Sequence, residues 1–196
     1  MIEKRADSAN RSEVVTVKKW LWIFLLSLAP VSLGVTGCGF WPNNGTNQIQ
    51  LSVYPSLCVD VLDASTAQGQ LLQLYPCGAG KRSQEWTFKP INSDQNFLII
   101  NVNSGLCMSV SSPYDDYPGQ VVLQTACDQT DPDMVWTIND LTGMTGVRFV
   151  AQSSGDCLDD PYGETAGIPT LQQYYCDHDD PGQGWNINPV GKGGTP

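Results

Sequence analysis

The chain has 196 residues, a formal charge of −10 and 15% charged residues, with 19 glycines and 13 prolines. So acidic a chain offers no basic face to release counterions from nucleic acid and no electrostatic attraction to an anionic bilayer, which excludes both as partners of that kind. Plentiful turn formers and few charges favour a turn-rich β protein over a helical bundle, and the length suits one domain with a short appendage.

The N-terminus differs in kind from the rest. Residues 1–19 are polar, with Arg11, Lys18 and Lys19 ahead of the apolar run Trp20–Val35. That run contains Pro30 and Gly34 and is shorter than the ~20 apolar residues a membrane span requires. A basic flank, an apolar helical centre and small residues afterwards are the marks of a secretory signal. The exit, Val35-Thr36-Gly37-Cys38, resembles the lipobox of bacterial lipoprotein precursors. The resemblance implies that residues 1–37 are a signal peptide and that Cys38 becomes the lipid-modified first residue of the mature protein. An ordinary cleaved signal and an uncleaved signal anchor are the alternatives. Residues 38–47 then form a short tether rich in Asn, Gly and Pro. The Asn44-Gly45-Thr46 sequon within it matters only in a eukaryotic host.

From residue 48 to about 190 one pattern occurs three times, and residues 191–196 follow as a tail. Cys58, Cys107 and Cys157 open the copies; Trp86, Trp136 and Trp185 close them. A second cysteine (Cys77, Cys127, Cys176) follows the first after 19, 20 and 19 residues. The repeat length is about 50 residues. Each copy reads as about four short strands. Phe97–Val102 and Val147–Ala151 have strand length and composition and run into Ser-Gly turns. A strand around the first cysteine, a loop with Gly69, Gly119 or Gly167, a second apolar strand such as Leu71–Tyr75 and a tryptophan strand complete the unit. Copies this small cannot bury a core alone, so three are expected to share one, with the tryptophans inside.

Seven cysteines leave one over after three pairs. The repeat symmetry selects Cys58–Cys77, Cys107–Cys127 and Cys157–Cys176, and leaves Cys38 for the lipobox. Such bridges fit an exported protein in an oxidising compartment. Zinc is not expected, because there is no CxxC spacing and His178 is the only histidine. The acidic turn Asp177–Asp180 has Asn188, not glutamate, at the twelfth position of a calcium loop. No cofactor is expected.

Cys58-Val59-Asp60-Val61, then Gln73-Leu74-Tyr75-Pro76-Cys77, then Gln84-Glu85-Trp86 resembles a ricin B-type lectin repeat, whose mark is Gln-x-Trp with cysteines at this spacing. The resemblance covers roughly Gln48–Pro189. Gln183-Gly184-Trp185 keeps the motif, and the middle copy reads Met134-Val135-Trp136. It implies an all-β protein, a β-trefoil of three repeats, acting as a sugar-binding module.

Binding an uncharged sugar requires a carboxylate to accept from neighbouring hydroxyls, an amide beside it and a flat ring for the C–H face. The first copy offers Asp60, Gln73 and Tyr75, with Ser83 where the family usually has Asn, and Gln84 in the motif, where it would hold the backbone of the site. The third offers Asp159, Gln172 and Tyr174, with Gly182 at the Asn position and Gln183 in the motif. In the middle copy Ser109, Thr125, Asp133 and Met134 replace these groups, and Gln124 stands one position out of place. The first and third pockets are therefore expected to bind and the second to be structural, with Asp60 and Asp159 exposed beside their clefts. The expected protein is a non-enzymatic lectin for galactose- or xylose-type glycans, exported and lipid-anchored to a bacterial envelope. Alternatives are the receptor-binding subunit of a toxin with partner subunits, a structural or inhibitory trefoil, and a glycoside hydrolase using Asp115-Asp116 or Asp179-Asp180.

Overall fold

A computed structural model describes residues 42, 45–111, 118–141, 146–161 and 170–191, all within the unit Cys38–Pro196. The signal segment, Cys38, Asn44, Asp115, Asp116, Gly167 and residues 192–196 lie outside the described residues. Within them no helix is long and apolar enough to cross a membrane.

Twelve strands are described: β1 Asn47–Leu51, β2 Tyr54–Val61, β3 Gln70–Pro76, β4 Trp86–Ile91, β5 Ser93–Asn101, β6 Cys107–Val110, β7 Val122–Thr125, β8 Val135–Asp140, β9 Val147–Ala151, β10 Cys157–Asp159, β11 Gln172–Tyr174 and β12 Trp185–Pro189. The strand expected at Val147–Ala151 has those bounds. The one expected to begin at Phe97 begins at Ser93, because Asn92, in a left-handed conformation (φ 55°), turns the chain back early on Ile91.

Among the described residues all strand pairings are antiparallel. β1, β4, β5, β8, β9 and β12 pair in a ring that closes when β12 meets β1, with Asn47 opposite Pro189 and Leu51 opposite Trp185. The hairpins β2–β3, β6–β7 and β10–β11 complete one copy each. This is the three-part β-trefoil, and closing the ring removes the exposed edges of its six strands.

Alternation fills the interior. In β1, Asn47, Ile49 and Leu51 face inward and the residues between them outward, as period two dictates. All three repeat tryptophans are fully buried in one core cluster with Phe88, Phe97 and Phe149. Phe88 meets Phe97 edge-on at 6.1 Å and stacks on Phe149 at 6.2 Å, so the three copies share a single core. Each indole also donates across its own copy, from Trp86 to Val59 O at 3.0 Å, from Trp136 to Met108 O at 3.1 Å and from Trp185 to Leu158 O at 3.1 Å. A buried indole N–H left without a partner would be costly, so these bonds fix the ring orientations. Gly146 (φ 113°) is obligatory, since a Cβ there would lie 2.6 Å from Trp185 O.

The disulfides are Cys58–Cys77, Cys107–Cys127 and Cys157–Cys176, as the repeat symmetry selects. Each ties the first strand of a small hairpin to the end of the second. Closing loops of this length stabilises by roughly 3 kcal/mol per bridge in the chain-entropy picture.

Candidate carbohydrate-binding site

The small hairpins place the candidate residues. Register puts Asp60 opposite Gln73 and Asp159 opposite Gln172, while the same position of the middle copy pairs Ser109 with Leu123. Opposed residues share a face, so each carboxylate stands beside its amide. In the third copy Gln172 Nε2 donates to Asp159 Oδ2 at 2.7 Å. The middle copy has neither carboxylate nor amide there, and Ser109 Oγ donates to Val110 O.

Asp60 and Asp159 were expected to be exposed, and they are not: they are 6% and 3% accessible. The short 3-10 turn carrying the Gln-x-Trp residues folds down over each. Gln84 Nε2 reaches Asp60 Oδ2 at 3.4 Å and Pro76 O at 3.1 Å, and Gln84 Oε1 accepts from Gly78 N at 2.9 Å. In the third copy Gln183 Oε1 accepts from Asp177 N and its Nε2 donates to Tyr175 O. Both glutamines are fully buried and clamp the chain after the second cysteine. Met134 does part of this in the middle copy, where its sulfur accepts from Asp128 N at 3.3 Å.

The first copy holds a cavity of about 520 Å³ lined by Asp60, Gln73, Tyr75 and Ser83. Sequence reasoning missed its other walls: Asp63, Ala64, Gly80, Lys81, Arg82 and Asn103. Asn103 comes from the next repeat and donates to Ala64 O at 3.0 Å, holding Asp63 and Ala64 in left-handed conformations (φ 58° and 50°). Such angles cost an L residue roughly 1–2 kcal/mol each, and they form the wall of the pocket. Lys81 Nζ lies over the Tyr75 ring, 4.6 Å from its centroid, and both residues line the cavity.

In the third copy Tyr174 is 42% and Tyr175 61% exposed, with ring centroids 5.5 Å apart, so two rings face outward where sequence reasoning named one. Gly182 has no room for Asn: a Cβ would lie 2.7 Å from Asp160 O and 3.3 Å from Asp159 Oδ1. Burial pushes the Asp159 carboxyl up to about 6; the nearby Asp180 and Asp160 charges add to this, and the bond from Gln172 opposes it. Among the described residues Asp60 Oδ1 and Asp159 Oδ1 are both buried without a hydrogen-bond partner. Residues 162–169, which connect β10 to β11, lie outside the described residues.

Gln124 is not a displaced pocket residue. Its Nε2 donates to Ser65 O and Ala67 O, and its Oε1 accepts from Ser104 Oγ at 2.7 Å. Gln173 accepts from Ser154 Oγ in the same manner, so the pair are struts behind the hairpins. His178 is exposed, 3.5 Å from the exposed Asp179. Among the described residues no group of three His, Cys, Asp or Glu could hold a metal ion.

A closed trefoil with a buried carboxylate opposite a glutamine in two of its three copies, and a polar cavity at the first, defines a repeat protein with the makings of a small-ligand site. Residues 34–136 match the family of the ricin-type beta-trefoil lectin domain, and residues 132–195 match the ricin-type beta-trefoil lectin domain-like family. The chain belongs to the ricin-type β-trefoil lectin family. No curated protein matches it. Among solved structures it is similar to ThreeFoil, a designed threefold-symmetric protein (23% identity, TM-score 0.66, 74% of this chain and 98% of that one). It is also similar to the Rhizoctonia solani agglutinin (19%, TM-score 0.64, 82% and 99%) and the Haemophilus ducreyi cytolethal distending toxin (17%, TM-score 0.61, 78% and 87%). Other matched chains are longer, and this chain spans 31% of one and 17% of another.

Proposed function

We propose that the protein is a non-catalytic lectin that binds galactose- or xylose-type glycans through its first and third copies. The observation that carries this reading is the pair of buried carboxylates, Asp60 and Asp159, each beside a glutamine and each with one oxygen unmatched. Desolvating a carboxylate without full pairing is costly, and a ligand bearing vicinal hydroxyls supplies the missing donors. Tyr75 and Tyr174 offer the apolar face, while Ser83, Gln84 and Gln183 hold or line the pockets. Calorimetric titration with galactose and xylose tests the assignment. Asp60→Asn and Asp159→Asn keep the side-chain shape, and each should remove one binding site, since a charge-assisted hydrogen bond is worth roughly 1.5–3 kcal/mol. The double variant should be inert and Ser109→Ala should bind as the parent does. Full binding by a folded double variant would refute the site, and no binding by the parent would favour a purely structural trefoil.

The same reading places the protein outside the cytoplasm, which the three disulfides support, and on a bacterial envelope through lipid on Cys38. Several acyl chains hold a protein stably where one does not, and display on a surface turns weak pockets into avidity. Cys38→Ala should leave an unprocessed precursor that no longer partitions into detergent; unchanged size and partitioning would end the lipoprotein proposal. The likeness to the cytolethal distending toxin favours, as a second reading, a receptor-binding subunit of a toxin. Co-purification of partner subunits from the source cell would support that role.

A further inference from the structure

We propose that the first pocket selects glycans carrying an anionic substituent, a carboxylate or a sulfate ester, and that Lys81 and Arg82 are its specificity-determining residues. The inference rests on the lectin reading and names the ligand class of one of its two pockets.

The three copies differ at the turn that precedes the tryptophan strand. The 3-10 turn before each tryptophan strand opens with Asp131-Pro132 in the second copy and Asp180-Pro181 in the third. Both aspartates cap the turn, from Asp133 N at 3.0 Å and from Gly182 N at 2.7 Å. The first copy has Lys81-Arg82 instead, and no side chain caps its turn. Two residues that stabilise this turn elsewhere have been exchanged for two cations, and the exchange sits on a cavity wall. A local rule broken at a pocket points to a ligand.

Charge is the second observation. In a chain of net charge −10, the basic residues after position 37 are Lys81, Arg82, Lys89, Arg148 and Lys192, and two of these five line this cavity. Among the described residues neither Lys81 nor Arg82 is in an ion pair, although Asp60 and Asp63 line the same space. Lys81 Nζ donates to Pro76 O at 3.3 Å, and Arg82 Nη2 donates to Val102 O at 2.9 Å. Both exposed heads keep further N–H donors for a ligand.

The third observation is the ammonium over Tyr75. A neutral sugar that takes the ring face under Lys81 displaces the ammonium from its cation–π contact and offers it only uncharged hydroxyl acceptors. A sugar bearing a carboxylate or sulfate displaces the ammonium and then pairs with it, while Asp60 and Gln73 take its hydroxyls at the base. The pocket thus discriminates by a penalty as well as by an attraction. The third pocket has Asp160 and Asp180 close to Asp159, which disfavours an anion there. The two pockets are therefore built for different ligands.

Calorimetric titration of the full-chain protein with galactose, galacturonic acid and galactose 6-sulfate tests this. One or both acidic probes should bind more tightly than galactose by about tenfold, the worth of one charge-assisted hydrogen bond, and the pair of probes tells carboxylate from sulfate. In Lys81→Gln/Arg82→Gln the ratio of acidic to neutral affinity should collapse to about one, and Lys81→Arg should restore part of it. Asp60→Asn should remove the acidic-probe site. A parent protein that binds galactose but shows no preference overturns the proposal and leaves the lectin reading standing, as does a preference that survives the double substitution. A parent that binds none of the three overturns both.

Discussion

On the lectin reading proposed above, Asp159 serves a ligand against the interest of the fold. Its carboxyl in the folded chain titrates at about 6, above its ordinary 3.8, because burial disfavours the charge. The fold therefore prefers the protonated form. The residue imposes no penalty below 3.8; the penalty grows as pH rises through the interval and is complete above about 6. Binding runs the other way, since the acceptor is the carboxylate, and should weaken at the third pocket as pH falls through about 6. Asp159→Asn should accordingly raise the thermal midpoint above that pH, with the gain fading toward acid, and lose the site. Melts and sugar titrations on both sides of about 6 decide this; a variant less stable than the parent at neutral pH would contradict the argument. How much of the site was legible differs from residue to residue. That Asp60 and Gln73, like Asp159 and Gln172, stand side by side followed from the ricin B-type resemblance and their offsets to the cysteines, because register is fixed by the disulfide hairpin. Their burial did not, since it depends on a turn 24 residues further on folding back over the aspartate. Asn103 was equally hidden, lying in the next repeat.

The elements were more legible than the pockets. Period-two alternation and the recurrent cysteines and tryptophans located the strands, and Val147–Ala151 needed no adjustment. What pattern alone could not give was the link each tryptophan makes between its own strand and the cysteine strand of its copy. Trp86 in β4 bonds Val59 in β2 and packs in the shared core, so it belongs to two elements at once. Trp86→Ala should destabilise by roughly 3–5 kcal/mol, with the orphaned Val59 carbonyl adding to the lost packing. Denaturant unfolding would measure it. A loss under about 1 kcal/mol would mean that the copies do not depend on a common interior. The strut role of Gln124 and Gln173 was missed because a polar residue on a strand reads the same whether it faces a ligand or a loop carbonyl.

At the scale of the whole molecule the three copies have kept one architecture while their pockets have parted. The first is rimmed by cations, the second sets Ser109 opposite Leu123 where the others have a carboxylate and an amide, and the third is acidic with two outward tyrosines. A shared core leaves each hairpin tip free to change, since the tips contribute little to the ring. The seam between β1 and β12 has a mechanical meaning. Asn47, the first strand residue, is opposite both Pro189 in β12 and Trp86 in β4, and Val190 N bonds back to Thr46 O at 2.8 Å. A pull arriving along the chain from its N-terminal side, the load that the proposed anchor on Cys38 would transmit, therefore reaches the first and last repeats together. It meets a ladder of paired strands rather than a fraying end, and the load is divided before it comes to any pocket.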